Sequence, residues 1–326
     1  MALRHRPMQP KDVGECVEIV ATHPVIGPRY GNGIADLRRA WLDLYGRLAH
    51  TAVVLEEGDG RNWQVCGVGV SVFIKDSFLR ELKTPPFFWY GPELAKRIVN
   101  GNSPLLSDKE VREKNVCGGM NVVCWEGCLR PEAETRTEIY NKLMGAFVEE
   151  HRGYLWNEII ATQAESVLRL QSMMRTGAMW LSSERHQWIE SVDKDLEEAF
   201  TAPHVVGLAR GMPSIVGSWA GALFDYNPPR FGFSRSEQQL LASAWHGGTD
   251  EELSEVLGIS ISAVKKTWQT IYQRVTARRP DLTPPSKHSD SAPRDRGKEK
   301  KQRLIAYLRE HPEELRPVSR KLLARR

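Results

Sequence analysis

The side chains between Ile261 and Thr276 divide into two faces at helical spacing. One face is apolar and consists of Val264, Trp268, Ile271 and Val275. The other face offers hydroxyl, ammonium and amide groups from Ser262, Lys265, Lys266, Gln269 and Gln273. Ammonium groups contact phosphates, and amide groups pair with base edges. The pattern predicts a helix that packs by one side and lies by the other in a DNA major groove about 12 Å wide.

Two shorter helices are predicted before this segment. Ser236 to Trp245 follows Ser234 and Glu237, which have the spacing of a capping box. A second capping box, Thr249-Asp250-Glu251-Glu252, begins the next helix. The apolar face expected for that helix consists of Leu253, Val256 and Leu257.

The connection into the long helix is three residues. Gly258 is expected in the tight turn, because glycine adopts positive φ without strain. Ile259 is expected to fill the core, and Ser260 to cap the helix that follows. The sequence therefore predicts three short helices joined by a turn, rather than a helical bundle used only for packing.

These residues resemble the LuxR-type helix-turn-helix over Ser234 to Val275. The residues that carry the resemblance are Leu240-Leu241, Gly247, Glu252, Leu257, Ile259-Ser260, Val264-Lys265 and Ile271. It implies a transcription regulator whose partner is double-stranded DNA. Thr267 stands where many members of the family carry histidine. A similar pattern occurs in the fourth region of sigma factors, which implies an adaptor that contacts RNA polymerase.

Beyond this unit, residues 281–298 are rich in proline, serine and charge and are expected to be disordered. A last helix is expected over 299–316, with Leu304, Ile305 and Leu308 apolar. It carries Lys300, Lys301, Arg303 and Arg309. In LuxR-type domains a fourth helix often makes the dimer contact. Here the sequence leaves a homodimer contact, a phosphate contact and a solvated helix open.

The length, charge and cysteine content of the chain limit the classes of protein to consider. The chain has 326 residues, which suggests about two domains. Residues 262–326 carry a net charge of +11, which leaves −7 for the rest of a chain with net +4. A basic end on an acidic front is typical of a protein of which one end meets a polyanion. No apolar run is long enough to span a membrane. Five cysteines, an odd number, favour a reducing cytoplasm over a disulfide framework.

Residues 1 to about 200 alternate strand-like and helix-like segments, and 201–233 are read as a linker. The order strand, helix, hairpin, strand, helix, strand, helix, strands resembles the GNAT acetyltransferase fold. The stretches that carry the resemblance are Leu3 to Pro10 with Asp12-Val13, Val65 to Ile74, Asn121 to Leu129, and Ser166 to Gly177 before Met179-Trp180-Leu181. The expected fold class is therefore α+β/α: an N-terminal mixed α/β sheet domain followed by an all-α helix-turn-helix domain.

GNAT enzymes hold the pyrophosphate of coenzyme A on backbone amides of a glycine-rich helix start. The corresponding stretch, Arg130 to Arg136, contains no glycine. Glu132 and Glu134 would repel a pyrophosphate, and Pro131 lacks an amide donor. We expect a degenerate domain that binds no cofactor and senses a small-molecule ligand or a partner. The alternative is an acyl-CoA-dependent N-acetyltransferase with a DNA-binding tail.

Other candidates are read as structural. Cys117, Cys124 and Cys128 lack the paired spacing of a zinc site and are expected to be buried strand thiols. His151 and His186 have no evident partners in the sequence. The glycines of 31–33 and 118–119 are expected in turns, and Trp63, Trp89, Trp125, Trp156 and Trp180 in the core.

Overall fold

The computed structural model describes residues 2–164, 166, 178–181, 203–212, 220–245, 247–283 and 293–324. The chain divides into two compact units. The first consists of Met1–His151 and Leu155–Phe224, and the second of Arg152–Tyr154 and Asp225–Arg326. Mixed α/β content with a mixed sheet and many helices confirms the predicted fold class at that coarse level. No helix among the described residues is long and apolar enough to cross a bilayer.

The first unit is built on one sheet, whose strand order is β1-β2-β3-β4-β5-β7-β6 in the part of the chain that the structure describes. The strands are β1 Ala2–Pro7, β2 His50–Gly58, β3 Trp63–Ile74, β4 Met120–Leu129, β5 Trp156–Ala164, β6 Met179–Trp180 and β7 His204–Ala209. β4 and β5 are parallel, and the other neighbours are antiparallel. β5 pairs with β4 only over Met120 to Val123, so among the described strands the outer half of β4 pairs with β3 alone.

The centre of the sheet follows from the apolar run of β3. Successive residues of this strand, from Val65 to Ile74, are almost all buried, because both faces of the sheet are covered. The predicted hairpin between β2 and β3 is present. The Asp59 carboxylate accepts hydrogen bonds from the amides of Arg61 and Asn62, each at 2.9 Å, which holds the turn.

Helices cover this sheet. They are α1 Val13–Thr22, α2 Gly27–Tyr30, α3 Ile34–Asp43, α4 Asp76–Lys83, α5 Tyr90–Val99, α6 Asp108–Lys114, α7 Thr137–His151 and α8 Gly221–Phe224. α3 and α4 were not predicted from the sequence. α3 buries Leu37, Ala40 and Trp41 at the i, i+3, i+4 spacing of an amphipathic helix.

The linker expected over 201–233 is corrected in part by β7. His204 to Leu208 are buried, and the strand pairs with β5. A Cβ on Gly207 would lie 2.0 Å from the carbonyl oxygen of Ile159, so the two backbones approach at a glycine. Residues 167–177, which make up most of the stretch from Ser166 to Gly177, lie outside the described residues, as do His186 and 284–292 of the segment expected to be disordered.

The second unit is helical. Its helices are α9 Arg235–Trp245, α10 Asp250–Leu257, α11 Ile261–Arg278, α12 Pro293–Glu310 and α13 Arg320–Leu323. The last long helix therefore begins before 299, within the segment expected to be disordered, and ends at Glu310, ahead of a 3₁₀ turn over Pro312–Leu315. Leu304 and Leu308 of α12 are fully buried in one apolar cluster with residues of α9, α10 and α11. The fourth helix is thus part of the core of this unit.

Candidate nucleic-acid interface

Both ends of α10 and the start of α11 are fixed by local backbone features. Thr249 caps α10: its hydroxyl accepts from the amide of Glu252 at 3.2 Å, and its own amide donates to the Glu252 carboxylate at 2.7 Å. Gly258 follows α10 at φ 63°, the left-handed region that favours glycine. Ser260 then caps α11 by accepting from the amide of Ala263 at 3.2 Å.

α11 is held by the apolar face that the sequence indicated. Val264, Ile271 and Val275 are fully buried, and Trp268 is 5% exposed. They pack in the cluster that also contains Leu253 of α10. Because four anchors at helical spacing are buried, the rotation of α11 about its own axis is fixed.

The opposite face of α11 is exposed to solvent. It carries the predicted contact residues Ser262, Lys265, Lys266, Gln269 and Gln273. At 100° per residue, these five positions fall within an arc of about 100° on the helix surface. Thr267 lies on the flank of the helix, half-buried, and its hydroxyl donates to the carbonyl oxygen of Ala263 at 2.9 Å. The structure therefore brings five of the six predicted residues onto one exposed face.

Two core predictions near the turn are wrong. Val256 is 69% exposed and Ile259 is 39% exposed, although both were expected to point inward. Ile261, at the first position of α11, is also 39% exposed. Leu253 and the half-buried Leu257 supply the inward face of α10 instead. The turn thus presents three aliphatic side chains to solvent.

A groove lies beside the exposed face of α11, between it and α12. Its volume is about 1430 Å³, and its lining includes Lys265 and Gln269 from α11 and Lys301 and Arg309 from α12. Its floor is aromatic: the rings of Trp268 and Tyr272 stack with centroids 5.6 Å apart. The ammonium group of Lys301 lies 5.1 Å from the centroid of the Trp268 ring.

The segment from Arg130 to Arg136 of the first unit has a different chemistry. The Arg130 guanidinium donates to the Val65 carbonyl oxygen and to the Glu15 carboxylate, both at 2.7 Å. Arg136 pairs with Glu57 at 2.6 Å and with Glu138 at 2.9 Å. Both arginines that could have met a pyrophosphate are therefore engaged by protein carboxylates.

Three backbone amides of that segment are also hydrogen-bonded within the protein. The amides of Ala133, Glu134 and Arg136 donate to carbonyl oxygens three residues earlier in the same segment. The adjoining cavity of about 480 Å³ is lined by three glutamates and two arginines, which are Glu15, Glu57, Glu132, Arg130 and Arg136. An anion entering this cavity would meet an excess of carboxylates.

A hydrogen-bonded carboxyl group on β4, that of Glu126, was not predicted from the sequence. The hydroxyl of Tyr30 donates to Glu126 Oε1, and the indole N–H of Trp125 donates to the Tyr30 oxygen at 3.1 Å. Burial raises the pKa of Glu126 to about 7, against the opposing effects of the Tyr30 hydrogen bond and of Arg29. Tyr30 and Glu126 are 96 residues apart in the chain, and no local spacing connects them.

The cysteine, histidine and tryptophan candidates can now be placed in the structure. Cys124 and Cys128 lie on β4, whereas Cys117 is exposed and lies outside the strands, so the expectation of a buried strand thiol is wrong for Cys117. His151 is buried, and its Nδ1 donates to the carbonyl oxygen of Phe147 at 2.7 Å. Trp125 and Trp156 are buried in the core. Within the described ranges, no group of three metal-binding side chains comes together.

Comparison with protein-family models, with curated proteins and with solved structures finds no match to this chain.

Proposed function

We propose that this protein is a transcription regulator that binds double-stranded DNA by placing α11 in the major groove. One observation carries the proposal: the face of α11 with Ser262, Lys265 and Gln269 is exposed, while the other face is locked in the core. A helix so anchored presents cations to phosphates and amides to base edges in one fixed orientation.

The charge of α11 supports a polyanionic partner. The helix contains no aspartate or glutamate, and its exposed face carries Lys265 and Lys266. Among the residues that the structure describes, neither lysine has a carboxylate partner within 4.0 Å. Both ammonium groups are therefore available to phosphate oxygens without the loss of an ion pair.

Acidic residues set the orientation of the unit. Asp250, Glu251 and Glu252 occupy the first turn of α10. Carboxylates repel phosphates, so Glu251 and Glu252 are expected to face away from the DNA backbone, whereas the charge of Asp250 is offset by the Lys301 ammonium group at 3.8 Å. This arrangement leaves the amino-terminal half of α11, with Ser262 and Lys265, as the part that enters the groove.

The first unit is proposed to sense a small-molecule ligand or a partner. Its strand order, with β4 and β5 parallel and in contact only over a short stretch, supports the GNAT-like assignment. The ion-paired Arg130 and Arg136 favour a degenerate site over an acetyltransferase. Calorimetry of the full chain with acetyl-CoA separates these alternatives: no heat of binding is expected, and tight binding would favour the enzyme.

A contact with RNA polymerase is the second candidate function. The exposed Val256, Ile259 and Ile261 favour a protein partner at the turn, because exposed aliphatic groups close together often mark such contacts. The sigma-like adaptor alternative predicts that polymerase co-purifies with the chain through these residues. It predicts loss of co-purification in Val256→Ser and no effect of Lys265→Ala.

The DNA-binding proposal is tested by gel shift of the full chain on genomic fragments at 50 and 200 mM salt. We expect retardation at low salt that weakens steeply with salt, because bound phosphates release counterions. Lys265→Ala should weaken binding on every fragment, whereas Gln269→Ala should change which fragments are preferred. Lys109→Ala removes an exposed lysine of the first unit and is the matched control.

Two results would contradict the proposal. One is the absence of retardation by the wild-type chain at low salt. The other is equal weakening by Lys265→Ala and by Lys109→Ala, since a contact made by α11 depends on where the charge lies.

A further inference from the structure

We infer that α12 is a second DNA-contacting helix, and that the groove between α11 and α12 takes the phosphate backbone of one strand, with Lys301 and Arg309 as phosphate contacts. The inference rests on the proposed function, because it concerns the strand that flanks the major groove occupied by α11. It gives the fourth helix a role that the sequence leaves open.

The two exposed edges of α12 differ in charge. Residues 301, 302, 305, 306 and 309 follow i, i+4 spacing and line the groove, and the charged members are Lys301 and Arg309. The other edge carries Glu299, Lys300, Arg303 and Glu310. Between residues 299 and 310 both carboxylates lie away from the groove, and a solvated helix with mixed charges gives no reason for that separation.

Both walls of the groove carry cationic and amide side chains. On the α11 wall, Lys265, Gln269 and Gln273 supply one cation and two amides. On the α12 wall, Lys301, Gln302 and Arg309 supply two cations and one amide. The lining contains one carboxylate, Asp250, which lies 3.8 Å from the Lys301 ammonium group.

The cations of the groove differ from others in the unit in what they contact. Arg309 donates to the carbonyl oxygen of Trp245 at 3.3 Å, and Lys301 donates to that of Gly248 at 3.0 Å. Arg309 thus has no carboxylate partner among the described residues, whereas the charge of Lys301 is offset in part by Asp250 at 3.8 Å. Elsewhere, Arg274 pairs with Glu237 at 3.1 Å and Arg303 with Glu299 at 2.7 Å.

A second copy of the chain is disfavoured as the occupant. The exposed large apolar side chains among the described residues include none on α12. A dimer contact through this helix would therefore bury Gln302, Arg303, Ala306 and Arg309 rather than an apolar seam. Two copies meeting here would also bring toward each other their Arg309 side chains, which have no carboxylate partner within the described part of the chain. Charge complementarity favours a phosphate backbone.

The test is the salt dependence of binding, measured by fluorescence anisotropy of a labelled duplex with the full chain. Arg309→Gln is expected to weaken binding about fivefold to tenfold near 0.1 M salt and to reduce the slope of log K against log salt by about 0.9, the value of one phosphate contact on duplex DNA. Arg303→Gln, on the other edge of α12, is the matched control and is expected to leave slope and affinity unchanged. Lys301→Gln should behave like Arg309→Gln.

The outcomes separate the two proposals. If the wild-type chain binds and Lys265→Ala reduces the slope, but Arg309→Gln and Lys301→Gln match wild type, the inference about α12 is overturned and the role of α11 stands. If the wild-type chain does not bind DNA, the proposed function itself fails. Sedimentation of the chain without DNA tests whether a second copy occupies the groove. If the wild-type chain is a dimer and Arg309→Gln dissociates it, the inference is overturned in favour of a second copy.

Discussion

Glu126 shows how burial alters one side chain of the first unit. Its carboxyl group accepts a hydrogen bond from Tyr30, and burial raises its pKa from 4.5 to about 7. In the unfolded chain the group ionises near its ordinary pKa, whereas in the fold it keeps its proton to about pH 7. Its contribution to stability is therefore complete below pH 4.5 and is lost as the pH rises toward 7.

Glu126→Gln is predicted to gain stability relative to wild type as the pH rises from 5 to 8. Glutamine still accepts a hydrogen bond from Tyr30 but does not ionise, so the gain should be on the order of 2 kcal/mol, given about 1.4 kcal/mol for each pKa unit. Urea unfolding of both chains at the two pH values measures it. Glu113→Gln, a change at a half-exposed glutamate of α6, is the control. A difference between wild type and Glu126→Gln that is the same at both pH values would contradict the prediction.

At the scale of elements, the α10–α11 turn depends on backbone conformation as much as on packing. Gly258 has φ 63° and ψ 32°, and the amide of Ile259 donates to the carbonyl oxygen of Ser254 at 3.1 Å. A Cβ at position 258 would meet no atom within 4 Å. Any cost of a side chain there therefore comes from the left-handed conformation rather than from a clash.

Gly258→Ala is predicted to destabilise the helix-turn-helix by about 1 kcal/mol, the usual cost of a left-handed alanine. Gly258→Asn should cost less, because asparagine tolerates this region better than alanine. Hydrogen exchange of peptides from α10 and α11 in the full chain measures both: exchange should be about fivefold faster in Gly258→Ala. Equal effects of alanine and asparagine would show that the turn has changed conformation.

The fourth helix gives a second prediction at this scale. Leu304→Ala removes a fully buried side chain from the cluster that anchors α11, so we expect a loss of about 2–5 kcal/mol in the second unit. Gln302→Ala, an exposed change on the same helix, should alter stability by less than about 0.5 kcal/mol. Exchange of amides in 261–278 reports both effects. Normal protection of α11 in Leu304→Ala would mean that α12 is dispensable for the core.

The predictability of this fold from sequence varied with the range of the interactions involved. The two faces of α11, the caps at Thr249 and Ser260 and the turn at Gly258 follow from contacts within a few residues, and all are in the structure. Val256 and Ile259 were assigned inward from local periodicity, which does not show how wide the buried face of a short helix is.

Long-range contacts account for what the sequence did not predict. α12 lies in the core because its apolar residues contact α9, α10 and α11, which precede the segment 281–298. The composition of that segment suggested instead that the last helix was separate. β7 pairs with β5 although prolines flank it on both sides. This pairing was not predicted, because β5 lies about 45 residues earlier in the chain and no local pattern connects the two strands. Of the candidate interface, the α11 residues were predictable, whereas the groove with Lys301 and Arg309 was not, since it exists only once α11 and α12 pack together.

At the scale of the whole molecule, positive charge is concentrated toward one end of the chain. Residues 262–326 carry net +11 and the remainder carries net −7. Polyanion binding would therefore be confined to the second unit, and the acidic remainder would limit non-specific retention of the whole chain on DNA. Any effect of a ligand in the first unit would require that ligand to bind the DNA-free and DNA-bound states with different affinity.

Methylation interference on a duplex selected by the full chain from a random pool tests the central claim most directly. Methyl groups on guanine N7 lie in the major groove, and those on adenine N3 lie in the minor groove. If α11 occupies the major groove, guanine N7 methylation within the selected site should abolish binding, adenine N3 methylation should have little effect, and Gln269→Ala should move the sensitive positions. Interference from adenine N3 alone, or selection of no sequence at all, would contradict the account.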